Sequence, residues 1–185
     1  MNISETINLI RSALLAPQPT WQEYLAKNHS WKETLLVLTL PLIVGAVLLN
    51  CLLTLLVGGS LGMSVVVSQI LYAIITFAVF TLVLAALAGS FGGITDFDRA
   101  TAAVSLSGVP AYVAGAVTPI PVIGFLIALA GGIYSLVLLY QIIPVYLNVP
   151  EDKRVIHFIV TIVAALVVSM ILFGLLLPTP DYDNL

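Results

Sequence analysis

No Asp, Glu, Lys or Arg occurs from Thr34 to Thr95, from Ala100 to Pro150, or from Val155 to Pro180. A soluble domain carries about a quarter charged residues. Here only 8% of residues are charged and 61% are hydrophobic, so the solvent of these runs is lipid rather than water. The fold class that follows is all-α: a polytopic membrane protein of spanning helices, each needing about 20 mainly apolar residues to cross roughly 30 Å of hydrocarbon.

Glycine and proline divide the three runs. Gly58-Gly59-Ser60-Leu61-Gly62 separates a first span, from about Thr34 to Val57, from a second, from about Ser64 to Gly89. Thr118-Pro119-Ile120-Pro121 separates a third, from about Ala100 to Val117, from a fourth, from about Val122 to Ile143. The run from about Val155 to Leu177 is a fifth, ended by Pro178 and Pro180. Five transmembrane helices place the termini on opposite sides. With the N-terminus cytoplasmic, all 6 basic residues (Arg11, Lys27, Lys32, Arg99, Lys153 and Arg154) fall on that side, as the excess of Lys and Arg in cytoplasmic loops requires. The C-terminus is then outside. The predicted organisation is a leader over 1–33, a five-helix domain over 34–177 and an external tail over 178–185.

The leader lacks the pattern of a cleaved signal, since its first long apolar run follows thirty-odd residues that include Glu5, Glu23 and Glu33. The first span reads as an uncleaved signal anchor. Ile3, Ile7, Ile10 and Leu14 recur at helical spacing, Asn2 with Glu5 has the form of an N-cap and its third-position carboxylate, and Pro17 and Pro19 stop the helix. Such a helix either lies in the headgroup plane, anchored by Trp21, Tyr24 and Trp31, or packs under the bundle.

Small residues every four positions let helix backbones touch in a bilayer. Ala85, Gly89 and Gly93 follow this rule in the second span, Ala103, Ser107, Ala111 and Gly115 in the third, and Gly124, Ala128 and Gly132 in the fourth. The second to fourth spans are predicted to form a tight inner cluster, with the first and fifth facing lipid or a subunit contact. Uncharged polar residues such as Asn50, Gln69, Tyr72, Tyr140 and Gln141 serve interhelical hydrogen bonds, or line a small polar cavity. Pro110 kinks the third span, beside Tyr112.

Little in the chain points to catalysis. His29 and His157 belong to no zinc-type pattern, Cys51 is single, and His157 reads as an interfacial side chain near Lys153 and Arg154. Asp96 and Asp98, followed by Arg99, are the one acid pair a site could use, and equally they make an ordinary helix start. No catalytic residue, metal site or cofactor is assigned. Six basic residues against nine acidic ones leave too little cationic surface for nucleic acid.

Ser90-Phe91-Gly92-Gly93, Asp98-Arg99-Ala100, Val109-Pro110-Ala111-Tyr112, Ile120-Pro121-Val122-Ile123-Gly124 and the Gly132 to Tyr140 segment resemble, in order and spacing, the prokaryotic members of the Yip1 domain family. Ala16-Pro17-Gln18-Pro19-Thr20-Trp21 is similar to the family's leader. The resemblance runs from about Leu15 to Leu177 and implies a five-span protein with a cytoplasmic N-terminus. The eukaryotic Asp-Leu-Tyr-Gly-Pro signature is absent from the sequence, so partnership with small GTPases is not carried over. The leading functional expectation is a non-enzymatic scaffold or organiser in a bacterial inner membrane, its partners the lipid bilayer and either further copies of itself or another membrane protein. The alternative is a transporter or channel for a small solute.

Overall fold

The computed structural model describes residues 3–176, with side chains through residue 172. Every regular element among the described residues is helical. Two short helices, α1 (Ile3–Leu15) and α2 (Pro17–Ala26), precede five long ones: α3 (Trp31–Leu56), α4 (Met63–Ser90), α5 (Phe97–Gly115), α6 (Ile123–Leu147) and α7 (Glu151–Leu176). The N-cap at Asn2 and the tail over 178–185 lie outside the described residues.

Local chemistry sets the ends. α3 starts at a capping box in which Ser30 Oγ accepts from Glu33 N and Ser30 N donates to Glu33 Oε2 at 2.8 Å. α3 and α4 end in the same glycine device. Gly58 and Gly92 each take φ +85°, and the next residue's N–H reaches back five residues, Gly59 to Thr54 O and Gly93 to Ala88 O. α7 begins at Glu151 after Pro150, and thus includes Lys153 and Arg154. α6 continues through Pro144 to Leu147 and closes at Asn148 in the left-handed conformation.

Four helices, α3, α4, α6 and α7, are long and apolar enough to cross a membrane. α5 is less apolar and is not among them, yet it is the most enclosed helix, buried without interruption from Ala100 to Ser107. A helix walled in by other helices has no lipid to face, so Thr101, Ser105 and Ser107 replace Leu and Val there at no cost in exposed polarity. Their hydroxyls bond within the helix, to Phe97 O, Thr101 O and Ala103 O.

α5 runs parallel to α3 at nearly constant offset. Trp31 N meets Asp98 at one end, Thr39 Oγ1 meets Ser105 Oγ at 2.7 Å midway, and Asn50 Nδ2 donates to Thr118 Oγ1 at 2.9 Å at the other. α6 folds back against α5, where Gly131 admits the Pro110 carbonyl. α7 packs along α4, with His157 buried edge-on against Phe91 at 5.4 Å.

The leader bears out one expectation in part and corrects another. α1 stops at Leu15, ahead of Pro17 as expected, but helix resumes at once as α2, which contains Pro19. Pro17 sits at the first position of α2, where its fixed φ suits a helix start and its missing N–H is no loss. The α1 face turned inward carries Thr6 and Ala13 with Leu9, Ile10 and Leu14 beside them, whereas Ile3 and Ile7 are exposed. A proline in α3 explains this rotation. Pro41 has no N–H to offer the carbonyl four residues earlier, and the Thr6 hydroxyl donates to that Val37 oxygen at 2.8 Å. Tyr134 OH reaches Leu14 O at 3.3 Å, and Tyr146 OH donates to Trp21 O at 2.8 Å. The leader is therefore packed on the bundle, with Ile3, Ile7 and Leu15 left outward.

Candidate functional site

The acid pair lies where the leader meets the bundle. Asp96 caps α5, its Oδ1 accepting from Arg99 N at 3.0 Å. Asp98 reaches across to α3 and accepts from Trp31 N at 2.8 Å, while the Trp31 and Phe97 rings stack edge-on at 5.9 Å. Both carboxylates thus answer N–H groups in the first turn of a helix, where the dipole favours negative charge. Arg99 Nε stands 3.6 Å from Asp96, an exposed pairing worth little. A cavity of 160 Å³ separates these residues from the leader and is lined also by Tyr24, Asn28, His29 and Tyr146. Burial pushes the Tyr24 phenol above its ordinary pKa, outweighing the hydrogen bond it donates to Thr34 Oγ1. No group of three His, Cys, Asp or Glu side chains that could hold a metal occurs among the described residues.

Pro110 and Tyr112 belong to the opposite half. Pro110 removes one backbone donor from α5, and the next N–H, of Ala111, turns to Ser135 Oγ of α6 at 2.9 Å. At the same crossing a Cβ on Gly131 would lie 2.7 Å from the Pro110 carbonyl oxygen and against Ala114. On the other side of α5 is a cleft of 320 Å³ between α3, α4 and α5. Ile43, Val47, Ala73, Ala111 and Tyr112 wall it, and Asn50 and Gln69 stand in it as polar groups.

The model of the Yip1 domain matches residues 11–173. This chain belongs to the Yip1 domain family. No curated protein and no solved structure matches it.

Within this Yip1 domain, the residues singled out from sequence separate into two groups. Asp96, Asp98 and Arg99 come together at the leader junction. Pro110 and Tyr112 lie far from them, at the α5–α6 crossing and in the cleft. The small-residue stripes are used unevenly. Ala103 and Ser107 are buried in the core, whereas Ala111 and Gly115 line the cleft. Ala85 is buried, but α4 ends at Ser90, so Gly93 is off the helix and packs on the Leu147 carbonyl, which Ile94 N also reaches at 2.8 Å. Gly89 lies against Thr95, and Gly124 folds onto Val117 in its own turn. In α6 the residue in tight contact is Gly131; a Cβ on Gly132 would meet nothing within 4 Å, and Ala128 is half-buried.

Two further placements add to the sequence reading. His157, one turn beyond Lys153 and Arg154 in α7, is fully buried, packed beside Phe91 at the end of α4. Tyr140 stacks beneath Arg154, 4.3 Å from the ring centre, and against Phe158 at 5.5 Å. The Thr39–Ser105 contact and the Ser30–Glu33 cap escaped sequence reasoning. The cap carried a signal, Ser-x-x-Glu before an apolar run, whereas the Thr39–Ser105 pair had none.

Proposed function

We propose that this Yip1 domain protein is a five-span, non-enzymatic membrane scaffold, oriented with its N-terminus in the cytoplasm of a bacterium and acting through helix–helix association in the inner membrane. The fifth crossing in this reading is α5. Its in-register pairing with α3, from Asp98 to Thr118, supports a path along most of its apolar neighbour. The orientation rests on the placement of all 6 basic residues in the leader (Arg11 and Lys27) and in the first turns of α3, α5 and α7 (Lys32, Arg99, Lys153 and Arg154).

The observation that carries the scaffold reading is the outward surface of α6. Gly132 has open space above it and Ala128 is only half-buried, flanked by exposed Phe125, Leu129 and Ile133. Small residues between large ones offer a second helix close approach, and in lipid such packing is what drives association. The engagement of Asp96 and Asp98 as helix caps supports a structural rather than a catalytic role for them. Cross-linking in native membranes tests the proposal: adducts to a second copy or to another membrane protein are expected, and they should weaken in Gly132→Leu. A wild-type protein that stays monomeric and captures nothing refutes it. Reporters fused at the two termini test the topology and should fall in different compartments.

A second reading, passage of a small neutral solute, has the cleft between α3, α4 and α5 in its favour. Flux into proteoliposomes above that of empty vesicles is its test.

A further inference from the structure

α3 and α4 part company toward the end of the bundle remote from the leader. α4 buries no side chain before Phe77, and α3 buries none after Val47, although both are tightly held nearer the leader. The 320 Å³ cleft sits in the fork. Ala46, Ala73, Ala111 and Gly115 line it, and their small side chains keep it open. A Cβ on Gly115 would meet nothing within 4 Å.

We propose that this cleft holds the acyl chain of a bilayer lipid. Its walls are mainly hydrocarbon, and an apolar cavity stays dry while accepting apolar guests. A cavity of about 150 Å³ takes a benzene-sized guest, so this one has room for roughly a dozen carbon atoms. The polar groups suit an amphiphile entering from the remote face. Asn50, about 9 Å inside the α3 terminus at Leu56, is held there by Thr118 Oγ1 and Gly115 O, and Gln69 stands on the facing wall. Ile43 and Val47 continue the slot inward from Asn50.

The full chain, reconstituted into phosphatidylcholine vesicles containing a phospholipid with a photoactivatable group in its acyl chain, provides the test. Adducts mapped by peptide mass spectrometry are expected to concentrate several-fold on residues 43–50 and 111–116 over the outward surface of α6 at 125–133. Ala111→Phe, which fills the slot, should remove most of the first set and leave the α6 labelling unchanged. Ala73→Phe fills it from the opposite wall and serves if the first variant fails to fold, as judged by circular dichroism. Should both fail, the wild-type pattern alone decides. Equal labelling of cleft and outer face, cleft labelling that survives both fillers, or its loss when protein is raised at constant lipid would overturn the proposal, the last by handing the cleft to a second copy.

Discussion

Asp98 Oδ1 accepts the backbone N–H of Trp31 at 2.8 Å, closing a contact across 67 residues and fixing the start of α3 against the start of α5. It is a helix cap supplied from another helix. Asp98→Ala should lower stability by about 1 kcal/mol, the usual cost of losing an N-terminal cap, while Asp98→Asn keeps an acceptor and loses less. Thermal unfolding of the full chain in detergent, followed by circular dichroism, gives the comparison. Equal stability of all three proteins would show that Ser30 alone suffices to cap α3.

Adjacent glycines of α6 should respond oppositely. A methyl at Gly131 collides with Ala114 and the Pro110 carbonyl, so Gly131→Ala is expected to cost about 1–3 kcal/mol. Gly132→Ala adds its methyl to open space within a helix and should stabilise by about 0.4–1 kcal/mol. The same unfolding assay reads both.

Ser135 answers the Ala111 N–H beside Pro110. Replacing it with Ala leaves a half-buried donor without that acceptor, for an expected loss of about 1–3 kcal/mol. In Pro110→Ala the regained N–H can restore a regular turn, so Ser135→Ala made in that background should cost less. Additive effects in the double variant would exclude coupling between Pro110 and the hydroxyl.

The packed leader should loosen in alkali. The folded-state pKa of Tyr24 lies above its unfolded value of about 10 because burial disfavours the phenolate. Below about pH 10 the phenol is protonated whether folded or not, and its contribution is complete. As pH rises through the folded pKa, ionisation favours release and the contribution is lost. Trp21 fluorescence, compared between wild type and Tyr24→Phe, should show an alkaline transition that the variant lacks; identical titrations would assign that transition to other groups.

How much of this was legible in the sequence depends on which force decides each feature. Helix existence came through because lipid forbids charge, and the Gly58 turn came through because a left-handed residue is needed there. Helix ends were less visible. α7 absorbs Glu151 to Arg154, whose charges give no reason to break a helix at a membrane surface, and Pro17 begins a helix as readily as it ends one. The α1 face was misjudged because hydrophobic periodicity ranks isoleucines, whereas the contact that turns the helix is a threonine hydroxyl on Val37 O. Small-residue spacing in α6 pointed to Gly132, one position from Gly131, since a repeat of four cannot say which side of a helix its neighbour occupies. At the leader junction the acids were read as a helix start, which Asp96 serves locally; that Asp98 serves a different helix is a tertiary fact.

The enclosure of α5 bears on biogenesis. On the five-span reading, a segment bearing Asp98, Arg99 and a series of hydroxyls is a poor candidate for leaving the translocon alone. Its rungs at Ser105 and Thr118 match side chains on a helix synthesised some 66 residues earlier, which is already waiting when it emerges. Insertion then becomes a cooperative event, and a lesion in the earlier helix, such as loss of Thr39 or Asn50, would surface as a topology defect in the later one.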